Sequence, residues 1–173
     1  MNEEFMVIEK NNTWQLIDLP KGHKAIDVKW VYKIIVKANG EIDKYKTKLV
    51  ANGFEQREVY DYEEIFSPVA RMEIVRLIID LAAQRKWKIH QMDVKSAFLN
   101  GPLDEEVYVK HLSDFIQSDK EEKVYRLTKA LYVLKQAPRA WNKRIDLALH
   151  AIGFKKCASN HGLYVKTMIM EIC

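Results

Sequence analysis

The sequence of 173 residues contains little cysteine, proline or glycine, with two, four and six residues of each. So few glycines and prolines exclude collagen-like and low-complexity architectures, whereas 48% hydrophobic residues can build the core of one domain. Cys157 and Cys173 lie far from a Cys-x-x-Cys spacing, so neither a disulfide nor a zinc site is predicted. No apolar run can span a bilayer, and the first ten residues lack the apolar core of a signal peptide. We therefore expect an intracellular protein, cytoplasmic or nuclear, without membrane contact.

Charge is unevenly distributed along the chain. Residues 29–57 contain seven basic side chains against three acids, and residues 123–156 contain nine against Asp146 alone. Between them, residues 104–122 hold seven acids against two lysines. Two basic blocks are compatible with a surface that faces a polyanion, although charge runs on their own usually mark solvated faces.

Residues 28–51 are predicted to form a β-hairpin, because two β-rich runs flank Asn39 and Gly40, a strong turn signal. With these two residues as the turn, Lys33 faces Lys46 across the hairpin. Alternation along the strands then places lysines on one face and apolar residues, which can pack on a core, on the other. The lysines of this face are Lys29, Lys33, Lys37, Lys44, Lys46 and Lys48.

Lysines that face each other destabilise a strand pair, so their concentration needs a reason. Bound phosphate is one, because it neutralises several ammonium groups at once. The alternative is a solvated edge hairpin that uses lysine to prevent aggregation. A register shift of one residue would scatter the lysines and remove the phosphate argument.

The remaining patterns predict an α+β fold in which antiparallel hairpins pack with helices, as a single domain over residues 1–173. Apolar residues recur at helical spacing in residues 71–86 and 139–152, and Gly153 stands where a helix C-cap belongs. Extended segments are expected at residues 11–20, 87–94, 107–110, 124–127 and 163–165.

Asp93 is the one acid in an unusual setting, since it lies at the end of the predicted strand 87–94, which otherwise looks buried. A carboxylate at a strand end is a common ligand position for Mg²⁺, which takes one or two carboxylates plus substrate phosphates. An Asp in this position is, however, more often a turn or helix cap.

The residues around Asp93 closely resemble the first catalytic motif of copia-type retrotransposon reverse transcriptases. This motif covers residues 91–101, QMDVKSAFLNG, and residues 131–141, LYVLKQAPRAW, resemble the family's nucleotide-site motif. Three shorter matches lie in the same order: residues 14–16, WQL; residues 45–54, YKTKLVANGF; and residues 66–69, FSPV.

The resemblance implies RNA-directed DNA synthesis from an RNA template, a DNA primer and deoxynucleoside triphosphates, with two Mg²⁺ ions as cofactors. Asp93 and the backbone carbonyl of Val94 would then bind Mg²⁺. Phe98 would be the aromatic gate that leaves no room for a ribose 2′-hydroxyl, and Gln136 would line the pocket near the sugar.

The same resemblance implies roles for several basic residues. Lys46 and Lys48 would reach the triphosphate. Template and primer would lie along other hairpin lysines and the basic helix near residue 139. The residues expected to bind nucleic acid are Lys33, Lys44, Arg139 and Lys143.

The sequence also departs from the family pattern. Val133 stands where glycine is usual, and Lys48 stands where arginine is usual, which replaces a bidentate phosphate contact by a point charge. The second metal motif, Tyr-x-Asp-Asp, does not occur in the 173 residues. The resemblance thus implies fingers and a partial palm, without thumb or RNase H regions, truncated before the second metal motif. We expect no primer extension by these residues alone; the alternatives are a nucleic-acid-binding module without chemistry or an inert relic.

Overall fold

The computed structural model describes residues 1–111 and 123–167. These residues form an α+β structure, as predicted. The helices are α1 (Asn2–Lys10), α2 (Met72–Arg85) and α3 (Ala137–Ala151). The strands are β1 (Trp14–Asp18), β2 (Val28–Val36), β3 (Ile42–Ala51), β4 (Pro102–Val109), β5 (Lys123–Lys129), β6 (Lys155–Lys156) and β7 (Tyr164–Val165). No helix within the described ranges is long and apolar enough to cross a membrane.

Strand β5 lies at the centre of a three-stranded antiparallel sheet with the order β1-β5-β4. Leu127 of β5 pairs with Trp14 on one side and with Val107 on the other, and all three side chains are buried. The predicted strands at residues 107–110 and 124–127 and the edge segment at residues 11–20 are thereby confirmed. Residues 112–122 of the acidic block lie outside the described residues.

The β2–β3 hairpin has the predicted register over most of its length. Lys33 pairs with Lys46, and the alignment runs without interruption from Val28 to Ile35. Lysines of the two strands therefore share one face, as expected. Lys37 lies beyond the strand end, where it forms an ion pair of 3.6 Å with Glu41.

The hairpin turn differs from the prediction. The Lys37 N–H donates to the Glu41 carbonyl at 2.8 Å, so the loop has three residues and not two. Gly40 adopts a φ of +85°, which is the usual requirement of a three-residue loop. The longer loop alone would shift the strand register by one residue. A β-bulge restores the predicted register: Val36 pairs with Ile42, but the preceding Ile35 pairs with Lys44, so one residue of β3 is left out of the pairing.

The hydrophobic core joins this hairpin to the three-stranded sheet. It includes Ile8 of α1, Leu49 of β3, Val107 of β4, and Leu131 and Leu134 of the segment before α3. Helix α1 was not predicted. A helix of nine residues is marginal alone, and burial of Ile8 against the core stabilises it here.

Helix α3 ends as the sequence predicts. Gly153 has a φ of +88°, and its N–H donates to the His150 carbonyl at 2.9 Å. The Phe154 N–H donates to the Leu149 carbonyl at 2.9 Å, which completes a Schellman motif. The expected strand at residues 163–165 is present as β7, which pairs with β6.

One expected strand is absent, and two apolar faces are less buried than the core is. Residues 87–94 do not form a strand, because no strand of the described residues lies beside them to complete a ladder. Helix α2 forms as predicted, but most of its large apolar residues are exposed and only Ala82 is buried. The apolar face of the hairpin packs on the core at Leu49, whereas Tyr32 and Tyr45 nearer the tip are exposed.

Candidate nucleotide and nucleic-acid site

Asp93 lies on an exposed segment that leads into a short 3-10 helix, Ala97–Asn100. Ser96 precedes this helix with a left-handed φ of +52°, and its carbonyl accepts from the Leu99 N–H at 3.0 Å. Leu99 is fully buried and anchors the segment in the core. This anchor fixes the residues on either side of it, including Phe98, which is partly buried and packs against the same core.

Gly101 holds the same segment against helix α3. A Cβ at this position would lie 2.7 Å from the Ala140 carbonyl carbon and 2.7 Å from the Trp141 nitrogen. No side chain fits at these distances, so only glycine allows the two backbones to approach this closely. The end of the 91–101 motif is thus explained by packing on the helix that carries the second motif.

A cavity of about 450 Å³ lies between the hairpin and the Asp93 segment. It brings together five residues predicted from the resemblance: Lys46, Lys48, Asp93, Val94 and Phe98. The remaining lining residues are Glu4, Lys95, Ser96, Ala97 and Tyr132. Lysine ammonium groups, two carboxylates and aromatic rings form the kind of lining that can receive the phosphates and sugar of a nucleotide together with a cation.

Tyr132 connects the two sides of this cavity. The Lys48 Nζ lies 4.1 Å from the centre of the Tyr132 ring, within cation–π range. The Phe98 ring meets the same tyrosine edge-on, with centroids 5.8 Å apart and an interplanar angle of 72°. Burial raises the pKa of the Tyr132 hydroxyl above its ordinary value. Tyr132 belongs to the second motif but was not among the residues predicted to form the site.

Glu4 of helix α1 was also missed. Burial raises the pKa of its carboxyl above the ordinary value, and the nearby charges of Lys48 and Lys46 oppose that rise. One carboxylate oxygen, Oε1, is buried and has no hydrogen-bond partner among the described residues. Nothing in the local pattern distinguishes Glu4 from the adjacent Glu3, so only the position of α1 reveals it.

Gln136 does not line this cavity. It is 1% exposed; its Oε1 accepts from Gln56 Nε2 at 2.9 Å, and its Nε2 donates to the Asp61 carbonyl at 2.8 Å. The Gln56 Oε1 also accepts from the Lys135 N–H at 2.8 Å. These bonds fix the residues between the core and α3, and Gln136 lines a second cavity of about 350 Å³.

Arg139 and Lys143 line that second cavity, and both pair with acids. An Arg139 nitrogen lies 3.0 Å from Glu64 and another lies 3.7 Å from Glu105. The Lys143 Nζ lies 2.8 Å from Asp104. These side chains are partly exposed, so each pair contributes about 0–1 kcal/mol and can exchange partners readily.

Lys33 and Lys44 lie on the hairpin, and both are exposed. Lys33 stands directly opposite Lys46, and Lys44 stands opposite Ile35. The lysines therefore extend from the Asp93 cavity toward the hairpin tip. Such a row suits the phosphates of an extended polymer.

Val133 adopts a left-handed conformation with a φ of +73°. This explains why glycine is usual here, since a β-branched residue is strained at positive φ. The Val133 carbonyl oxygen lies 2.1 Å from where a Cβ on Gly53 would stand. The strained Val133 therefore packs against Gly53, where no other residue fits, and it lies next to the buried Leu134 in the chain.

The side chains that line the cavity provide only some of the ligands that a divalent metal ion needs. Among residues 1–111 and 123–167, no group of three or more His, Cys, Asp or Glu side chains could hold a metal ion. Asp93 and Glu4 are the carboxylates in the cavity lining. Mg²⁺ is commonly held by one or two carboxylates together with water and substrate phosphates, so this lining fits an ion that arrives with a polyphosphate.

The sequence matches known proteins over nearly its whole length. The profile of the reverse transcriptase (RNA-dependent DNA polymerase) family matches residues 11–171. The chain therefore belongs to this family, which confirms the resemblance found in the motifs. No solved structure matches the chain significantly.

The chain is similar to copia-type Pol polyproteins from plants. It is 40% identical, over 96% of its length, to the retrovirus-related Pol polyprotein from transposon TNT 1-94 of Nicotiana tabacum. It is 40% identical, over 90% of its length, to that from transposon RE1 of Arabidopsis thaliana. The Transposon Ty1-DR5 Gag-Pol polyprotein of Saccharomyces cerevisiae is 30% identical over 83% of the chain. The chain spans only 12%, 11% and 8% of these three relatives.

Proposed function

We propose that this chain forms the fingers and the first part of the palm of an RNA-directed DNA polymerase, and that its Asp93 cavity binds the incoming deoxynucleoside triphosphate. One observation carries the proposal. Lys46 and Lys48 of the hairpin line the same cavity as Asp93 and Phe98, which lie 45 to 52 residues further along the chain. Two separate motifs would thereby supply the contacts for phosphate, metal and sugar.

The cavity charges suit a nucleotide complexed with Mg²⁺. Lys46 and Lys48 would pair with phosphate oxygens, and each such charge-assisted bond contributes about 1.5–3 kcal/mol. Asp93 and the Val94 carbonyl would hold the ion. When bound, Mg²⁺ would neutralise charge on the phosphates and align the reacting groups for in-line displacement.

Phe98 would lie beneath the sugar. Its edge-on contact with Tyr132 restrains the ring, so a ribose 2′-hydroxyl would meet carbon atoms that offer no hydrogen bond. Gln136 could contact the sugar only if its buried amide left Gln56 and Asp61. We therefore assign selection of the sugar to Phe98. The role assigned to Gln136 is structural: its hydrogen bonds hold the segment before α3 in place.

Template and primer would lie along the basic residues outside the cavity. Lys33 and Lys44 are exposed and available on the hairpin. Arg139 and Lys143 would have to exchange their acid partners for phosphates, which their partial exposure permits. The same lysines favour a second candidate function, binding of RNA or DNA without catalysis.

Binding of dATP to the 173-residue chain, measured by calorimetry in Mg²⁺, tests the nucleotide site. Lys48→Gln is expected to weaken binding about tenfold, because one charge-assisted bond is lost. Lys29→Gln is the matched control, since Lys29 is an exposed lysine of the same hairpin outside the cavity, and it should change affinity less than about twofold. Equal effects of the two variants would refute the site.

Two further variants identify the roles of individual residues. Phe98→Ala should reduce the preference for dATP over ATP, because the ring no longer excludes the 2′-hydroxyl. Asp93→Asn should reduce the gain in affinity that Mg²⁺ provides. Should dATP fail to bind while RNA binds with an affinity that falls steeply with salt and with Lys46→Glu, the non-catalytic candidate would replace the polymerase proposal.

A further inference from the structure

Glu4 places a second negative charge in the cavity proposed to bind the triphosphate. It reaches the cavity from helix α1, which packs against strand β3 and against the core through Ile8. Neither the 91–101 motif nor the 131–141 motif contains it. Its carboxylate is half-buried, and its Oε1 has no hydrogen-bond partner within the described residues.

The position of Glu4 is unfavourable for a bare polyphosphate. Of the charged residues that line the cavity, Glu4 and Asp93 are acids and Lys46, Lys48 and Lys95 are bases. The attraction of Lys48 and Lys46 acts on Glu4, which indicates that its carboxylate competes for the cations a phosphate would use. A partly desolvated carboxylate also repels phosphate oxygens more strongly than one in bulk water does.

A divalent cation removes this conflict. It cancels part of the negative charge of the polyphosphate, and the Glu4 carboxylate, whose Oε1 has no hydrogen-bond partner within the described residues, can face the ion or its bound water. We propose that Glu4 is a selectivity residue of the cavity: it disfavours metal-free polyphosphate and thereby makes nucleotide binding depend on a divalent cation. This inference rests on the nucleotide site proposed above.

Calorimetry of the 173-residue chain with inorganic triphosphate and with dATP tests the inference, with each ligand measured in EDTA and in Mg²⁺. Glu4→Gln is expected to tighten binding in EDTA about tenfold, because it removes one nearby negative charge. In Mg²⁺ the gain in affinity should be about twofold or less, so the affinity of the variant should depend less on the cation than that of the parent does.

Glu3→Gln is the matched control. Glu3 is the neighbouring residue in the first turn of α1, it is exposed and it is not a lining residue of the cavity, yet its substitution changes the net charge equally. It should alter affinity less than about twofold in either condition. Glu4→Asp keeps the negative charge, so its affinity for each ligand should stay close to that of the parent chain. Thermal unfolding checks the fold, and Glu4→Ala replaces Glu4→Gln if the latter unfolds.

The outcomes separate the two proposals. If Lys48→Gln weakens binding but Glu4→Gln behaves like Glu3→Gln in EDTA, the nucleotide site stands and the role of Glu4 is refuted. Equal gains from Glu4→Gln in EDTA and in Mg²⁺ also refute it, because the effect would then be independent of the cation. If Lys48→Gln has no effect on either ligand, the nucleotide site fails, and the inference about Glu4 fails with it.

Discussion

Two regions of this molecule have similar hydrophobic patterns but very different surroundings. In the packed region, formed by the β1-β5-β4 sheet, α1, α3 and the segments between them, Leu99 is 0% exposed. In the unpartnered region, formed by α2 and residues 87–94, Leu77 is 61% exposed. Amphipathic spacing therefore shows which face of an element is apolar, but it does not show whether the described residues provide something to cover that face.

The largest expected effect tests this comparison with the same substitution in both regions. Leu99→Ala should lower the free energy of unfolding by about 3 kcal/mol, because it leaves a cavity in a fully buried position. Leu77→Ala should cost less than about 0.5 kcal/mol, because its side chain is already exposed. Urea denaturation of the two variants measures the difference. Similar losses would mean that a partner, such as a second copy of the chain, covers α2 in solution.

A smaller effect, of opposite sign, is expected where the packed region contains strain. Val133→Gly should raise the free energy of unfolding by about 1 kcal/mol, because it relieves a left-handed β-branched residue whose side chain is exposed. Val59→Gly is a useful comparison, since Val59 also has a positive φ of +71° but lies in an exposed turn. Thermal unfolding reports both, and a loss of stability in Val133→Gly would show that the strain is absent.

The smallest effect concerns the polar attachment of β7 to α3. The Tyr164 hydroxyl donates to Asp146 at 2.6 Å, and this bond, followed by the bond and charge of Lys156, lowers the pKa of the Asp146 carboxyl below 3.8. Tyr164→Phe should lower stability by about 0.5 kcal/mol at neutral pH.

The pH dependence of this effect has a defined sign. Because the folded-state pKa of Asp146 is lowered, its contribution is present above the ordinary pKa and is lost as the pH falls below 3.8 toward the folded-state value. The difference between Tyr164→Phe and the parent should therefore shrink in acid. Tyr45→Phe, at an exposed tyrosine of the hairpin, is the control. A difference that stays constant in acid would contradict the assignment.

Sequence patterns predicted the strands of the hairpin and the C-cap of α3 because local chemistry determines both. Alternation aligned Lys33 with Lys46, and glycine at residue 153 provides the left-handed residue of a Schellman motif. The three-residue loop was missed because Asn39 and Gly40 suit either loop length, and the compensating bulge leaves no signal in the strand register.

The parts that could not be predicted depend on contacts between distant segments. Helix α1 is too short to show a clear period and forms where Ile8 meets the core. Residues 87–94 have the composition of a strand, but a strand also needs a neighbour. In the candidate site, the motifs indicated Asp93 and Phe98, whereas Glu4 enters the cavity only through the packing of α1.

The close approach at Gly101 has a mechanical consequence. The backbone of the segment that carries Phe98 touches the backbone of α3 at Ala140, one residue from Arg139. Because the two backbones are in direct contact and protein interiors are hardly compressible, a tilt of α3 would displace the segment that carries Phe98. A force on Arg139, for example from a bound polymer strand, would thereby reach Phe98, the residue proposed above to lie beneath the sugar.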